Sequence, residues 1–60
     1  MEKFTIFLCD EHGNKRRRFS YDGATPQRKA LALLNTYGAR KDFVSVIYNR
    51  TGREVFSTEY

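Results

Sequence analysis

The fold is decided by residues 4–9, which read Phe4-Thr5-Ile6-Phe7-Leu8-Cys9. Successive side chains of a β-strand point to opposite faces of a sheet, and here both sets are largely apolar. A strand that is apolar on both sides is typical of the centre of a sheet, where both faces are covered. The sequence therefore predicts a central strand, which we extend from Met1 to Cys9.

Three more strands surround this one in the sequence. The polar segment 10–14 contains a Gly-Asn pair, which is a strong hairpin signal, and leads into a second strand from Arg16 to Tyr21. An apolar run rich in β-branched residues predicts a third strand from Phe43 to Tyr48. A four-residue turn then leads into a fourth strand from Arg53 to Ser57.

One helix, predicted at residues 26–37, separates the two pairs of strands. Thr25 is the predicted N-cap, because its hydroxyl can accept a hydrogen bond from an otherwise unpaired backbone N–H. Pro26 suits the first helical position, where its missing N–H costs nothing. Apolar residues then recur at helical spacing, and Gly38 is predicted to supply the left-handed residue after the helix. The element order is therefore β-β-α-β-β.

The order of the strands follows from the direction of the chain. If the helix carries the chain back across the sheet, the order 2-1-3-4 makes every neighbouring pair antiparallel. It also places the two most apolar strands in the centre and the charged strands at the edges, where Lys and Arg discourage aggregation. We favour this order over 1-2-4-3 or a split arrangement. The predicted fold is an α+β two-layer sandwich, a four-stranded antiparallel sheet with one helix on one face.

One helix covers only one face of such a sheet, so the predicted core lies on that face. Its members are Phe4, Ile6, Leu8, Phe19, Tyr21, Ala30, Leu33, Leu34, Tyr37, Val44, Val46 and Val55. The other face is left open and carries Phe7, Cys9, Phe43 and Ile47. The third strand allows the opposite assignment as well, because its two sets of apolar residues could exchange faces.

Composition narrows the class of protein. Sixty residues predict one domain, 1–60, which buries only about 60% of the surface of the unfolded chain and is marginally stable. A net charge of +4 permits acidic partners, of which nucleic acid is the commonest. The single cysteine cannot form an internal disulfide and fits a cytoplasmic setting. No apolar stretch approaches the length of a membrane span, so no membrane association is expected.

The sequence contains no combination of residues that predicts catalysis or metal binding. Cys9 and His12 form half of a zinc site, but zinc needs four ligands and the chain has no second Cys or His. The same pair as nucleophile and base would lack an orienting third group and an oxyanion site. We therefore expect a binding protein that is not an enzyme and uses no cofactor.

The strongest functional signal is the basic run Lys15-Arg16-Arg17-Arg18, which lies in the second strand and continues directly into Phe19-Ser20-Tyr21. Strict alternation along that strand predicts Arg16 and Arg18 on the open face and Lys15 and Arg17 on the helix side. An edge strand of this kind can contact the phosphates of DNA or RNA, which dominate sequence-independent affinity. The candidate nucleic-acid-binding residues are Lys15, Arg16, Arg17, Arg18, Arg40, Lys41 and Arg50.

Two further interpretations use neighbouring features. Phe7, Phe43 and Ile47 on the open face could serve as a stacking or interface surface, as sheet platforms of RNA-binding modules do. Alternatively, the first hairpin could enter a major groove as a β-ribbon.

The class of function that competes with nucleic-acid binding is protein binding. The chain would then be a regulator or inhibitor that acts through the aromatic and arginine residues of the open face, including as a homodimer. In its small size and basic composition the chain resembles accessory proteins of phages or mobile elements.

Overall fold

The computed structural model describes residues 2–59 and has the predicted order of elements. These elements are β1 (Phe4–Cys9), β2 (Lys15–Tyr21), α1 (Pro26–Tyr37), β3 (Phe43–Tyr48) and β4 (Arg53–Ser57). The first strand begins at Phe4, later than predicted, and Met1 lies outside the described residues. The strands form one antiparallel sheet in the order β2-β1-β3-β4, which confirms the predicted α+β fold.

The central strand β1 pairs along its whole length with β3, from Phe4 opposite Tyr48 to Cys9 opposite Phe43. Residues directly opposite each other in an antiparallel pair share one face of the sheet. On the face under α1 this pairing creates the core, whose buried members are Ile6, Leu8, Ala30, Leu33, Val44 and Val46. The orientation of β3 is thereby decided, with Val44 and Val46 turned toward the helix.

Two predicted core residues lie outside the core. Val55 is 49% exposed, because a bulge in the β3–β4 pair sets Val46 opposite Phe56 and Ile47 opposite Glu54. Val55 is thus the extra residue, and Phe56 packs against the core in its place. Tyr37, in the last turn of α1, is 47% exposed. The remaining predicted members, Phe4, Phe19, Tyr21 and Leu34, are partly buried against the core.

The ends of α1 differ from the prediction in their chemistry. Thr25 precedes the helix, but its hydroxyl shares a hydrogen bond of 3.0 Å with the Tyr21 hydroxyl and caps no helical N–H. Pro26 occupies the first turn as expected. The left-handed conformation predicted for Gly38 is wrong, since its backbone is extended at φ −76° and ψ 145°. Glycine suits this position for another reason, because a Cβ there would collide with the Leu34 carbonyl oxygen.

The β1–β2 turn is held by the carboxylate of Asp10. One of its oxygens accepts hydrogen bonds from the backbone N–H groups of His12 and Asn14, each at 2.9 Å. The other accepts from the Asn14 side-chain amide at 3.2 Å. These bonds, that from the Asn14 backbone above all, lower the pKa of Asp10 below its ordinary value. Gly13 supplies the positive φ of +86° that the turn requires.

Truncation of Leu8 and of Val55 should have very different effects on stability. Leu8 is fully buried, so Leu8→Ala removes packed methyl groups and leaves a cavity. We expect a loss of about 2–5 kcal/mol in the free energy of unfolding, measured by urea denaturation. Val55→Ala, at an exposed bulge, is the matched control and should cost less than about 1 kcal/mol. Similar losses in the two variants would contradict the assignment of the core.

The Asp10 turn should make stability depend on pH. Because the pKa of Asp10 is lower in the folded state than in the unfolded state, its carboxylate stabilises the protein above the unfolded pKa. That contribution is lost as the pH falls through the lowered folded pKa. Asp10→Asn should therefore unfold more easily than the wild type at neutral pH. The difference, followed by thermal unfolding, should shrink in acid, and a difference independent of pH would refute this role.

Candidate nucleic-acid interface

The basic run forms the first half of the edge strand β2, and a bulge divides it. Its pairing with β1 sets Arg18 opposite Phe7, Arg17 opposite Leu8 and Lys15 opposite Cys9. Arg16 has no partner and is the extra residue. Because the alternation shifts by one position at the bulge, Lys15 joins Arg18 on the open face. The predicted face of Lys15 is therefore wrong and those of Arg17 and Arg18 are confirmed, whereas Arg16, as the extra residue, has no place in the alternation.

Arg16 is committed to an internal ion pair. Its Nη1 lies 2.9 Å from Oδ2 of Asp42, whose side chain is only 5% exposed. The same carboxylate oxygen accepts a hydrogen bond of 2.8 Å from the backbone N–H of Ala39. Arg16 thus ties β2 to the loop between α1 and β3. The sequence carried no local signal for this contact, because its two partners are separated by 26 positions.

Two of the other three cations of the run rest on aromatic rings. The Lys15 ammonium lies 4.9 Å from the centroid of the Phe7 ring, on the open face. The Arg17 guanidinium lies 5.0 Å from the centroid of Tyr37, which stacks on Phe19 with ring centroids 5.6 Å apart. Such contacts attract the cation to the ring face and restrict its motion. Tyr37, predicted as a core residue, is therefore a platform for a cation outside the core.

Lys15, Arg17 and Arg18 are exposed, and within residues 2–59 no carboxylate lies at ion-pair distance from them. We call these three residues, whose cations lie on both sides of one edge strand, the β2 cationic edge. It differs from Arg16, whose charge is already neutralised by Asp42. The β2 cationic edge is the part of the basic run that remains available to an anionic ligand.

The structure brings only some of the other predicted cations near this edge. Arg40 and Lys41 lie in the loop that Arg16 contacts, beside a depression that is also lined by Glu11 and Glu59. Lys41 forms an exposed ion pair of 3.5 Å with Glu11, which reduces the net positive charge there. Arg50 lies in the β3–β4 turn, at the opposite end of β3, and the length of that six-residue strand is about 17 Å. Arg50 therefore does not join the same surface.

Phe7, Phe43 and Ile47 lie on the face opposite the helix, as predicted. Their partners across the β1–β3 pair are Ser45, Cys9 and Thr5 respectively. The three large side chains are half-buried, whereas Thr5 and Cys9 between them are 4% and 3% exposed. The large residues thus shield the small ones, and we call this surface the open face. It is less exposed than the sequence suggested.

The β-ribbon mode of DNA binding is not favoured by this topology. A ribbon that enters a groove must be free on both sides, but β1 is paired with β3 along its entire length. The part of this hairpin that is outside the strands is the turn at 10–14, and it carries Asp10 and Glu11. Carboxylates at the tip would repel phosphates.

Neither a metal site nor a reactive thiol is evident near the turn. Burial raises the pKa of the Cys9 thiol, and the nearby Lys15 offsets this only in part. Among residues 2–59 no three His, Cys, Asp or Glu side chains are grouped closely enough to hold a metal ion. Over the same range, no helix combines the length and the apolar character needed to cross a membrane.

Comparison with protein-family models, with curated proteins and with solved structures gives no match for this chain.

The Cys9 thiol should react slowly in the folded protein. Both its burial and its raised pKa reduce the concentration of accessible thiolate at neutral pH. Alkylation by iodoacetamide, followed by mass spectrometry, should be much slower in the native protein than in urea. A Cys9→Ser/Ser20→Cys variant provides the control, because Ser20 is exposed on β2. Equal native rates for the two thiols would contradict the buried placement.

Proposed function

We propose that this protein is a non-enzymatic binding protein that contacts the phosphates of DNA or RNA through the β2 cationic edge. The supporting observation is that Lys15, Arg17 and Arg18 are exposed on one edge strand and have no carboxylate partner within residues 2–59. Surface cations are commonly neutralised by nearby carboxylates, as Arg16 and Lys41 are here. Three unneutralised cations on one strand form a positioned positive surface.

The geometry of an edge strand suits a phosphate chain. Lys15 and Arg18 approach from the open face, and Arg17 approaches from the helix side. A phosphate backbone lying along the edge is therefore reached from both sides of the strand. Guanidinium groups can donate two parallel hydrogen bonds to one phosphate, which adds geometric selectivity to the attraction between charges.

The aromatic platforms reduce the entropic cost of binding. A lysine or arginine that becomes immobile on binding loses on the order of 1 kcal/mol of conformational freedom. Because Lys15 and Arg17 already lie over Phe7 and Tyr37, part of that freedom is lost before the ligand arrives. Arg16 has a different role, since its ion pair with Asp42 holds β2 in position.

Binding of this kind contacts the phosphate backbone of the nucleic acid and not its bases. Phe7 is half-buried and lies beneath the Lys15 ammonium, so a base could stack on it only after displacing that side chain. Affinity should therefore depend weakly on sequence and strongly on salt, because bound counterions are released from the nucleic acid.

A salt series tests this proposal. Binding of the wild type to mixed-sequence DNA and RNA, measured by fluorescence anisotropy, should weaken steeply as salt rises. Arg17→Ala and Arg18→Ala should each weaken binding and reduce the slope of log K against log salt by about 1.

Arg50→Ala is the matched control. It removes the same charge at the opposite end of β3 and should leave that slope nearly unchanged. Absence of binding at low salt would refute the proposal, and so would equal effects of Arg17→Ala and Arg50→Ala.

A further inference from the structure

The open face has a regular pattern of side-chain size. Each level of the β1–β3 pair combines one large and one small residue, and the large one alternates between the two strands. The three levels are Thr5 with Ile47, Phe7 with Ser45, and Cys9 with Phe43. Thus β1 presents small, large, small where β3 presents large, small, large. A surface of this kind has both protrusions and the recesses that would receive them.

The margins of the open face carry opposite charges. On the β2 side are Lys15 and Arg18. On the β4 side, Glu54 lies opposite Ile47, and Glu59 borders the same depression as Phe43, which Glu11, Arg40 and Lys41 also line. Within residues 2–59 none of Lys15, Arg18, Glu54 and Glu59 takes part in an ion pair. An apolar centre between charged margins is typical of a protein interface.

We propose that a second copy of this chain covers the open face, related to the first by a two-fold axis parallel to the strands between β1 and β3. Rotation about this axis places β1 of each copy over β3 of the other and leaves the levels unchanged. Each large side chain then faces a small one, Phe7 over Ser45, Ile47 over Thr5 and Phe43 over Cys9. The same rotation places the basic margin of each copy over the acidic margin of the other, and Lys15 turns from the Phe7 ring of its own copy to face Glu59 of the other.

A two-fold axis that lies in the plane of the contact but runs perpendicular to the strands is unfavourable both for the packing of side chains and for the pairing of charges. It would place β1 over β1 and β3 over β3, so that Phe7 meets Phe7 and Phe43 meets Ile47. It would also place the two basic β2 strands over each other, where like charges repel. Size and charge therefore select the same axis independently, and this self-complementarity identifies a second copy as the occupant.

The area of the face suits a reversible dimer. The two longest extents of the molecule are 30 and 19 Å, so the contact covers at most about 570 Å² on each copy, which is less than the roughly 800 Å² per partner of a standard interface and is in the range of weak, transient ones. Arg17 and Tyr37 lie on the helix side, outside this contact. The dimer does not depend on nucleic-acid binding, and its test is made without nucleic acid.

Sedimentation equilibrium over a range of protein concentrations tests the contact. We expect a reversible monomer–dimer equilibrium for the wild type. Ser45→Phe fills the recess that receives Phe7 and should raise the dissociation constant at least about tenfold. Thr36→Phe, on an exposed helical position, adds the same bulk outside the contact and should have no effect. Thermal unfolding of each variant establishes that it is folded.

A charge exchange tests the axis. Lys15→Glu and Glu59→Lys should each weaken the dimer about tenfold, because two symmetric contacts change at once, and the double variant should restore it. Lys29→Glu makes the same change of charge on α1, outside the contact, and should leave the dissociation constant of the dimer unchanged. A wild type that stays monomeric up to about 1 mM, a dissociation constant that Ser45→Phe leaves unchanged, or a double variant without restoration would each overturn the proposal.

Discussion

The burial of β1 is the interaction on which the rest of the structure depends. Ile6 and Leu8 are fully buried between the neighbouring strands and α1, together with Val44 and Val46 of β3. Because one short helix covers only one face, the other side chains of the same strand, Thr5, Phe7 and Cys9, lie on the face that no helix covers. The core and the open face are therefore consequences of one strand that is apolar on both sides.

Two β-bulges then determine which side chains are available at the margins. The bulge in β2 moves Lys15 to the open face and frees Arg16 to reach Asp42. The bulge in β4 excludes Val55 from the core and admits Phe56. Each inserts one residue into a strand, so that every side chain beyond it changes face relative to strict alternation. In this protein both bulges are in edge strands, where they also oppose pairing with foreign strands.

The basic run thereby divides into parts with different roles. Arg16 holds the sheet to the α1–β3 loop, whereas Arg17 is held over Tyr37 on the helix side. Lys15 lies over Phe7 at the margin of the open face. The proposed phosphate contact and the proposed dimer thus share Lys15 and Arg18 at the margin of the open face but differ in their other residues. Arg17 belongs only to the first, and the pattern of large and small residues between β1 and β3 belongs only to the second.

The amino-acid sequence by itself determined the element order, the antiparallel topology and the central place of β1, because these follow from local periodicity and from the apolar character of each strand. It also placed Phe7 on the face away from the helix, whereas for Phe43 and Ile47 it favoured that face but left the opposite orientation of the third strand open. Only the tertiary structure decided the face of Lys15, the exclusion of Val55 from the core and the ion pair of Arg16 with Asp42. Bulges and long-range ion pairs depend on how two distant strands meet, and periodicity within one strand contains no information about its partner.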